Sequence, residues 1–180
     1  MATTIRPATR ADIPQILTFI RALATYERDP EAVTATEADL ERDGFGPNPF
    51  YFCLIAEHEG RPAGFAFYFF NYSTWQGRPG LYLEDLFVEP ELRGKGIGKA
   101  LLEKVAAIAV EKGCGRLNWA VLDWNTPAID FYRAMGAEFM DEWRIVRVTG
   151  TALDALATSK NAGPSTSPSL RSGSAQDDMQ

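Results

Sequence analysis

The stretch from Leu81 to Lys99, LYLEDLFVEPELRGKGIGK, constrains this chain more than any other, because it joins a strand to a helix through a loop in which glycine takes alternate positions. Leu81, Leu83 and Phe87 alternate with Tyr82, Glu84 and Val88 in an apolar and aromatic run that Pro90 ends, which predicts a strand. From Gly98 a helix is predicted. Its apolar residues Leu101, Leu102, Val105, Ile108 and Ala109 recur at helical spacing, while Lys99, Glu103, Lys104 and Glu111 fall largely on the other side, and Gly113 stops the run. In between, Gly94, Gly96 and Gly98 alternate with Lys95 and Ile97, so successive backbone N–H groups lie uncovered at a helix N-terminus. The positive end of the helix dipole, roughly half a charge, favours an anion there, and Arg93, Lys95 and Lys99 add full charges beside it. Phosphate suits such a place. The plainer alternative is a mobile surface turn, since glycine-rich loops are common.

Two familiar phosphate motifs do not fit. In a P-loop the first glycine would stand where Arg93 does, and the hydroxyl residue where Ala100 does. A dinucleotide fingerprint places its glycines directly after the strand, whereas Glu89 to Arg93 intervene and the glycine spacing is wrong. Asp123, at the end of the next predicted strand, is the sole feature in its favour.

A chain of 180 residues with 46% hydrophobic content suffices for one well-cored domain and not for two ordinary ones. That domain is expected over residues 1–157. No apolar run approaches the ~20 residues of a membrane span and MATTIRPATR does not read as a signal peptide, so a soluble, cytoplasmic protein without a membrane partner is expected. Cys53 and Cys114 lack C-x-x-C spacing and read neither as a disulfide framework nor as nucleophiles; with His58 the single histidine, no metal site is expected. The formal charge is −6, and because Lys160, Arg171, Asp177 and Asp178 cancel, all of it belongs to the folded part. This argues against a nucleic-acid partner and agrees with a cationic small substrate, although an acidic surface is often only a solubility device.

Along the chain, Thr3 to Pro7 predicts a first strand, and Thr9 followed by Asp12 caps a helix whose buried stripe is Ile13, Ile16, Leu17, Ile20 and Leu23. Thr36 and Asp39 cap a shorter helix ending at Gly44. Phe50 to His58 and Ala63 to Asn71 read as strands of a hairpin turning at Glu59-Gly60-Arg61-Pro62. After the strand–loop–helix stretch come a strand from Arg116 to Leu122 and a helix from Asn125 to Met135, with Asn125 as N-cap, Pro127 in the first turn and Gly136 closing it. Phe139-Met140 and Trp143 to Val148 then read as a hairpin around Asp141-Glu142, and Ala152 to Ala157 as a short helix. Residues 158–180, rich in Ser, Pro and Gly, read as a disordered tail. The order of elements is that of an α+β fold.

Arg93, Gly96 and Gly98 make the pattern R-x-x-G-x-G, which resembles the acetyl-CoA loop of the GNAT superfamily of N-acyltransferases. The segments DGFGPNPFYFCLIAE, YSTWQGR, LYLEDLFV, RGKGIG and AVLDWN are similar to those of the spermidine/spermine (diamine) N-acetyltransferase family, with the thialysine-acetylating branch nearer in wording, over roughly Ile5 to Ala157. The resemblance implies a GNAT fold with a mixed, mostly antiparallel sheet flanked by helices. It also implies a homodimer and transfer of acetyl from acetyl-CoA to a small-molecule amine. The acetyl and pantetheine end would meet the backbone of Leu86, Phe87 and Val88, and the pyrophosphate would meet Arg93, Gly94, Lys95, Gly96, Ile97, Gly98 and Lys99, with a polar contact from Asn125. The amine would meet Tyr26, Glu27, Glu84, Asn118, Trp119 and Ala120, with Glu142 before Trp143 at its far end. Here the sequence departs from the family, since the interval from Tyr132 to Trp143 is shorter than the pattern requires.

The resemblance assigns catalysis to Glu84 and Tyr132. An alkylammonium with a pKa near 10.4 costs roughly 4.6 kcal/mol to present as free amine at neutral pH. A carboxylate of ordinary pKa is a poor direct base for it, so attraction, orientation and relay through water suit Glu84 better. Tyr132, which matches the family's general acid, would donate its hydroxyl to the leaving thiolate. Without the resemblance, Glu84 reads as an exposed strand carboxylate and Tyr132 as a packed aromatic. No residue reads as an acyl-carrying nucleophile, so direct attack in a ternary complex is expected. The alternatives are acetylation of protein lysines or N-termini, and a non-catalytic acyl-CoA-binding module.

Overall fold

A computed structural model describes residues 3–158, and their packing falls into two compact units divided between Ile129 and Asp130. The first holds one sheet in the order β1 (Thr3–Pro7), β2 (Phe52–His58), β3 (Arg61–Ser73), β4 (Arg78–Val88) and β5 (Leu117–Asn118). Every neighbouring pair is antiparallel except β4 with β5, which is parallel. Helices α1 (Ile13–Tyr26) and α2 (Glu37–Gly44) come between β1 and β2, and α3 (Ile97–Glu111) between β4 and β5. Helix α4 (Thr126–Ala134) runs across the division, and α5 (Gly150–Thr158) belongs to the second unit. This is the mixed, mostly antiparallel α+β architecture expected.

Local chemistry sets most boundaries. The Thr9 N–H and hydroxyl both donate to Asp12 Oδ2, at 2.7 and 2.8 Å, and one 3₁₀ turn then feeds α1. The Arg6 guanidinium grips the same carboxylate at 2.7 Å and holds its pKa well below the usual range. At α2 the cap is reciprocal: the Thr36 N–H donates to Asp39 Oδ2, and the Asp39 N–H donates to Thr36 Oγ1. Glu59 and Gly60, at φ 53° and 76°, make a two-residue turn with both angles positive, whose twist matches that of the flanking strands.

On one face of the sheet, Ile16 and Phe19 of α1 pack against Ile55, Phe65 and Phe87, with the Phe19 ring 5.6 Å from Phe65 and 5.7 Å from Phe87. The alternation of β2 and β3 sends Leu54 and Ala66 to the other face, where α3 buries Ile97, Leu101, Leu102 and Val105. Each such side chain contributes roughly 1.5–3 kcal/mol of burial.

Four expectations are corrected. Helix α3 starts at Ile97, one residue before Gly98. The strand expected from Arg116 to Leu122 is only Leu117–Asn118, because its partner β4 kinks two residues beyond their last pair, Tyr82 with Asn118. The hairpin around Asp141-Glu142 keeps its turn, with Trp143 N–H donating to the Met140 carbonyl, but no strand is assigned among the described residues of the second unit. There the apolar residues of 143–148 are exposed, Val146 at 91%: an alternating pattern forms a ladder only where another strand supplies one. Finally, Leu83 and Phe87 do not share a face, for a reason that lies in the candidate site. The tail expected at 158–180 falls, beyond Thr158, outside the described residues.

Candidate active site

The site is organised by a bulge. Phe67 of β3 pairs with Asp85 and the next residue, Tyr68, with Leu83, so Glu84 is the extra residue of β4. Phe67 lies on the α1 face and Tyr68 on the α3 face, and their partners follow. Leu81 and Leu83 therefore turn toward α3, whereas Asp85 and Phe87 turn toward α1, and Phe87 joins the cluster around Phe19. A strand without the bulge would have sent Leu83 and Phe87 the same way. The exposed carboxylate of Glu84 stands at the point of reversal.

The bulge also opens one edge of β4. The Leu81 N–H donates to the Arg116 carbonyl at 3.0 Å and so faces β5, while the Glu89 N–H donates to Ala63 at 3.0 Å and faces back along β3. By the period of two, Phe87 faces β3, and the backbone groups of Leu86 and Val88 face the side that β5 no longer covers. Strand β4 then runs through a short 3₁₀ turn, Pro90–Leu92, into the glycine loop. Gly94 and Gly96 have φ of 76° and 79°, conformations that L side chains rarely adopt, and the space over both is open. Gly96 is the N-cap of α3 and brings no side-chain acceptor, so the first N–H groups of Ile97, Gly98 and Lys99 have no side-chain cap. A Cβ on Gly98 would meet only the Val88 side chain, at 3.6 Å. Lys95 and Lys99 are exposed beside this end, Lys99 loosely paired with Glu103 at 3.8 Å. An extended chain of amides ending in a diphosphate fits this edge and loop.

Arg93 is turned away from the loop. Its Nε donates to the Val88 carbonyl at 3.0 Å, and its guanidinium carbon lies 4.6 Å from the centre of the Tyr26 ring. Tyr26 in turn donates its hydroxyl to Asn125 Oδ1 at 2.9 Å, and the same oxygen accepts the Ala128 N–H at 3.4 Å, capping α4. Trp124 completes the group, its ring 6.1 Å from that of Tyr26 and 4.2 Å from the Arg28 guanidinium carbon.

Acidic side chains meet here. Glu27 is the C-cap of α1, and partial burial raises its pKa. Asp85, which sequence reasoning passed over, has its pKa pushed up to about 7, first by burial, then by the negative charges of Glu84 and Glu27. Its signal in the sequence was only the pair Glu84-Asp85, and without the bulge nothing there tells which carboxyl is buried. Asn118, paired with Tyr82, has a buried Oδ1 that accepts no hydrogen bond among the described residues. Trp119 and Ala120 follow it beyond the strand. Cys53 is buried beneath α1 and its thiol pKa is pushed far up, which suits a core residue and not a nucleophile.

Tyr132 and Glu142 belong to the second unit. Tyr132 is 8% exposed on α4, with its ring 5.3 Å from that of Phe131. Glu142 is exposed in the turn before Trp143.

The profile of the Acetyltransferase (GNAT) family matches residues 15–137, and the chain belongs to that family. The protein is an N-acetyltransferase, and acetyltransferases of this family use acetyl-CoA. Among curated relatives, a thialysine N-epsilon-acetyltransferase of Bos taurus is 46% identical over 85% of this chain and 96% of its own length. An L-ornithine N5-acetyltransferase of Arabidopsis thaliana is 33% identical over 87% of this chain and 88% of its own. Among solved structures, an integron cassette protein from the mobile metagenome of V. cholerae superposes with a TM-score of 0.74 at 29% identity, covering 88% of this chain and 99% of the other.

Proposed function

We propose that this enzyme acetylates the primary amine of a small lysine-like amino acid such as thialysine, or of a diamine or polyamine, by direct attack in a ternary complex. The observation that carries the reading is the open edge of β4, running from the carboxylates at the bulge to the uncapped, glycine-lined N-terminus of α3. The named relatives, which act on thialysine and ornithine, support the amine class.

Acetyl-CoA supplies an acyl group activated as a thioester. The Leu86 and Val88 backbone groups would take the pantetheine amides as an added strand, and the N–H groups from Gly94 to Lys99 the diphosphate. Tyr26, Glu27, Glu84 and Asn118 to Ala120 would surround the amine, and Glu142 is assigned to its far end by the resemblance alone. Glu84 attracts and orients the ammonium and relays its proton to water. The freed nitrogen lone pair forms the C–N bond, the C–S bond breaks, and Tyr132 donates its hydroxyl hydrogen toward the thiolate. A homodimer rests on the resemblance alone, a cytoplasmic location on the lack of an apolar span or signal-peptide core in the sequence, and a domain over residues 1–157 on chain length and the composition of the tail. A light-scattering mass twice that of the chain would support the dimer.

The deciding experiment measures CoA release with thialysine, lysine, ornithine, spermidine and a lysine-containing peptide. Turnover with the small amines and little with the peptide is expected. Preference for the peptide would make the enzyme a protein acetyltransferase, and acetyl-CoA binding without turnover of any amine would leave a binding module.

A further inference from the structure

Arg93 occupies two places that the two substrates need. Its Nε sits 3.0 Å from the Val88 carbonyl, on the edge of β4 where a strand-like ligand would run, and an added strand needs a clear lane of about 4.8 Å there. Its charge lies over the ring of Tyr26, one of the residues expected to meet the cationic amine. Both contacts cannot persist once that edge is filled. Arg93 also immediately precedes Gly94, so a guanidinium released from Val88 remains within reach of a diphosphate at the loop, which its planar fork suits. Tyr26 is held independently through its hydroxyl on Asn125, so the exchange removes a cation from its ring without freeing the side chain.

We propose that Arg93 is a positioning residue that couples the two halves of the site: filling the β4 edge drives it off Val88 and Tyr26, and its departure removes a positive charge from where the amine binds. The coupling rests on the acyl-CoA reading above. It is reciprocal by thermodynamic necessity, so the amine binds more tightly to the CoA-loaded enzyme than to the free one, and CoA more tightly in the presence of amine.

The test follows the Arg93 Nε–H resonance in the ¹⁵N-labelled full chain, assigned with Arg93→Lys, during titration with CoA and in parallel with calorimetry. In the free protein the Tyr26 ring shifts this resonance upfield, and saturation with CoA removes the shift. Tyr26→Leu, which deletes the nearer of the two aromatic contacts of Arg93 and leaves Phe87 at 5.8 Å, is expected to bind CoA roughly two- to fivefold more tightly than wild type, the reverse of what mere structural damage does. Tyr26→Phe keeps the ring and should show no such gain in affinity. CoA saturation that leaves the resonance unmoved overturns the coupling while sparing the acyl-CoA reading, as does a Tyr26→Leu protein, folded by circular dichroism, that binds CoA no more tightly. If Tyr26→Leu does not fold, the wild-type resonance decides alone. Failure of wild type to bind CoA overturns both.

Discussion

Of the connections that lead from strand to helix, two have helix N-termini finished in opposite ways. Where the chain passes from β5 into α4, Asn125 offers its own oxygen to the Ala128 N–H and takes the Tyr26 hydroxyl as well. Where it passes from β4 into α3, the N-cap is Gly96, with positive φ, no side-chain acceptor and open space above. A glycine N-cap forgoes roughly a few tenths of a kcal/mol that an Asn or Ser would supply. On the acyl-CoA reading proposed above, the end closed by a side chain serves the fold, and the end left to glycine is the one kept for an anion.

The largest effect should come from the helix that the closed end secures. Tyr132→Phe keeps the ring and removes the hydroxyl, whose proposed catalytic partner, the developing thiolate, exists only in the transition state. Turnover is expected to fall by roughly one to three powers of ten with acetyl-CoA affinity little changed, measured by steady-state kinetics beside direct binding. Wild-type turnover would reduce α4 to a structural element.

The open end is tested by Gly96→Val. The side chain would cover the N–H groups and strain a left-handed position, so the acetyl-CoA Kd should rise at least about tenfold, with the circular dichroism spectrum retained. Unchanged affinity would erase the contrast between the two termini.

The bulge between the connections has its own signature. Asp85 titrates near 7 in the folded chain against 3.8 ordinarily, facing Glu84 on its own strand, Glu27 at the end of α1 and Cys53 on β2. Its folded pKa is raised, so between about pH 4 and 7 the folded state binds more protons than the unfolded one. Stability from this group is present at low pH and declines by up to about 1.4 kcal/mol per pH unit across that window. Asp85→Asn should flatten this decline in urea unfolding, and an identical slope in the mutant would place the carboxyl in water.

Asn125→Ala should cost about 1 kcal/mol of stability through the lost cap, with a smaller loss of acetyl-CoA affinity than Gly96→Val causes. The reverse ranking in calorimetry would exchange the roles of the two ends. The smallest effect is expected from ending the chain after Ser159, since the removed sequence carries only Leu170 and Met179 as large apolar residues. A clear fall in melting temperature or turnover would refute that.

The sequence by itself determined what neighbouring residues decide. Thr9 with Asp12, Thr36 with Asp39, the Glu59-Gly60 turn, the Asn125 cap and the glycine alternation before α3 each act within a few residues, so they could be read before any contact was known. Only the tertiary structure decided the rest. The bulge at Glu84 is a property of β3 and β4 together, since it takes two strands to leave one residue unmatched, and with it came the reversal of Asp85 and Phe87, the early end of β5 and the open edge. Residues 143–148 alternate like a strand but find no ladder among the described residues of their own unit, because periodicity states what a strand could bury and not which strand will pair with it. Arg93 was legible as a loop cation, yet its partners, Val88 and Tyr26, stand 5 and 67 positions away, and that approach exists only once α1 and β4 share the sheet.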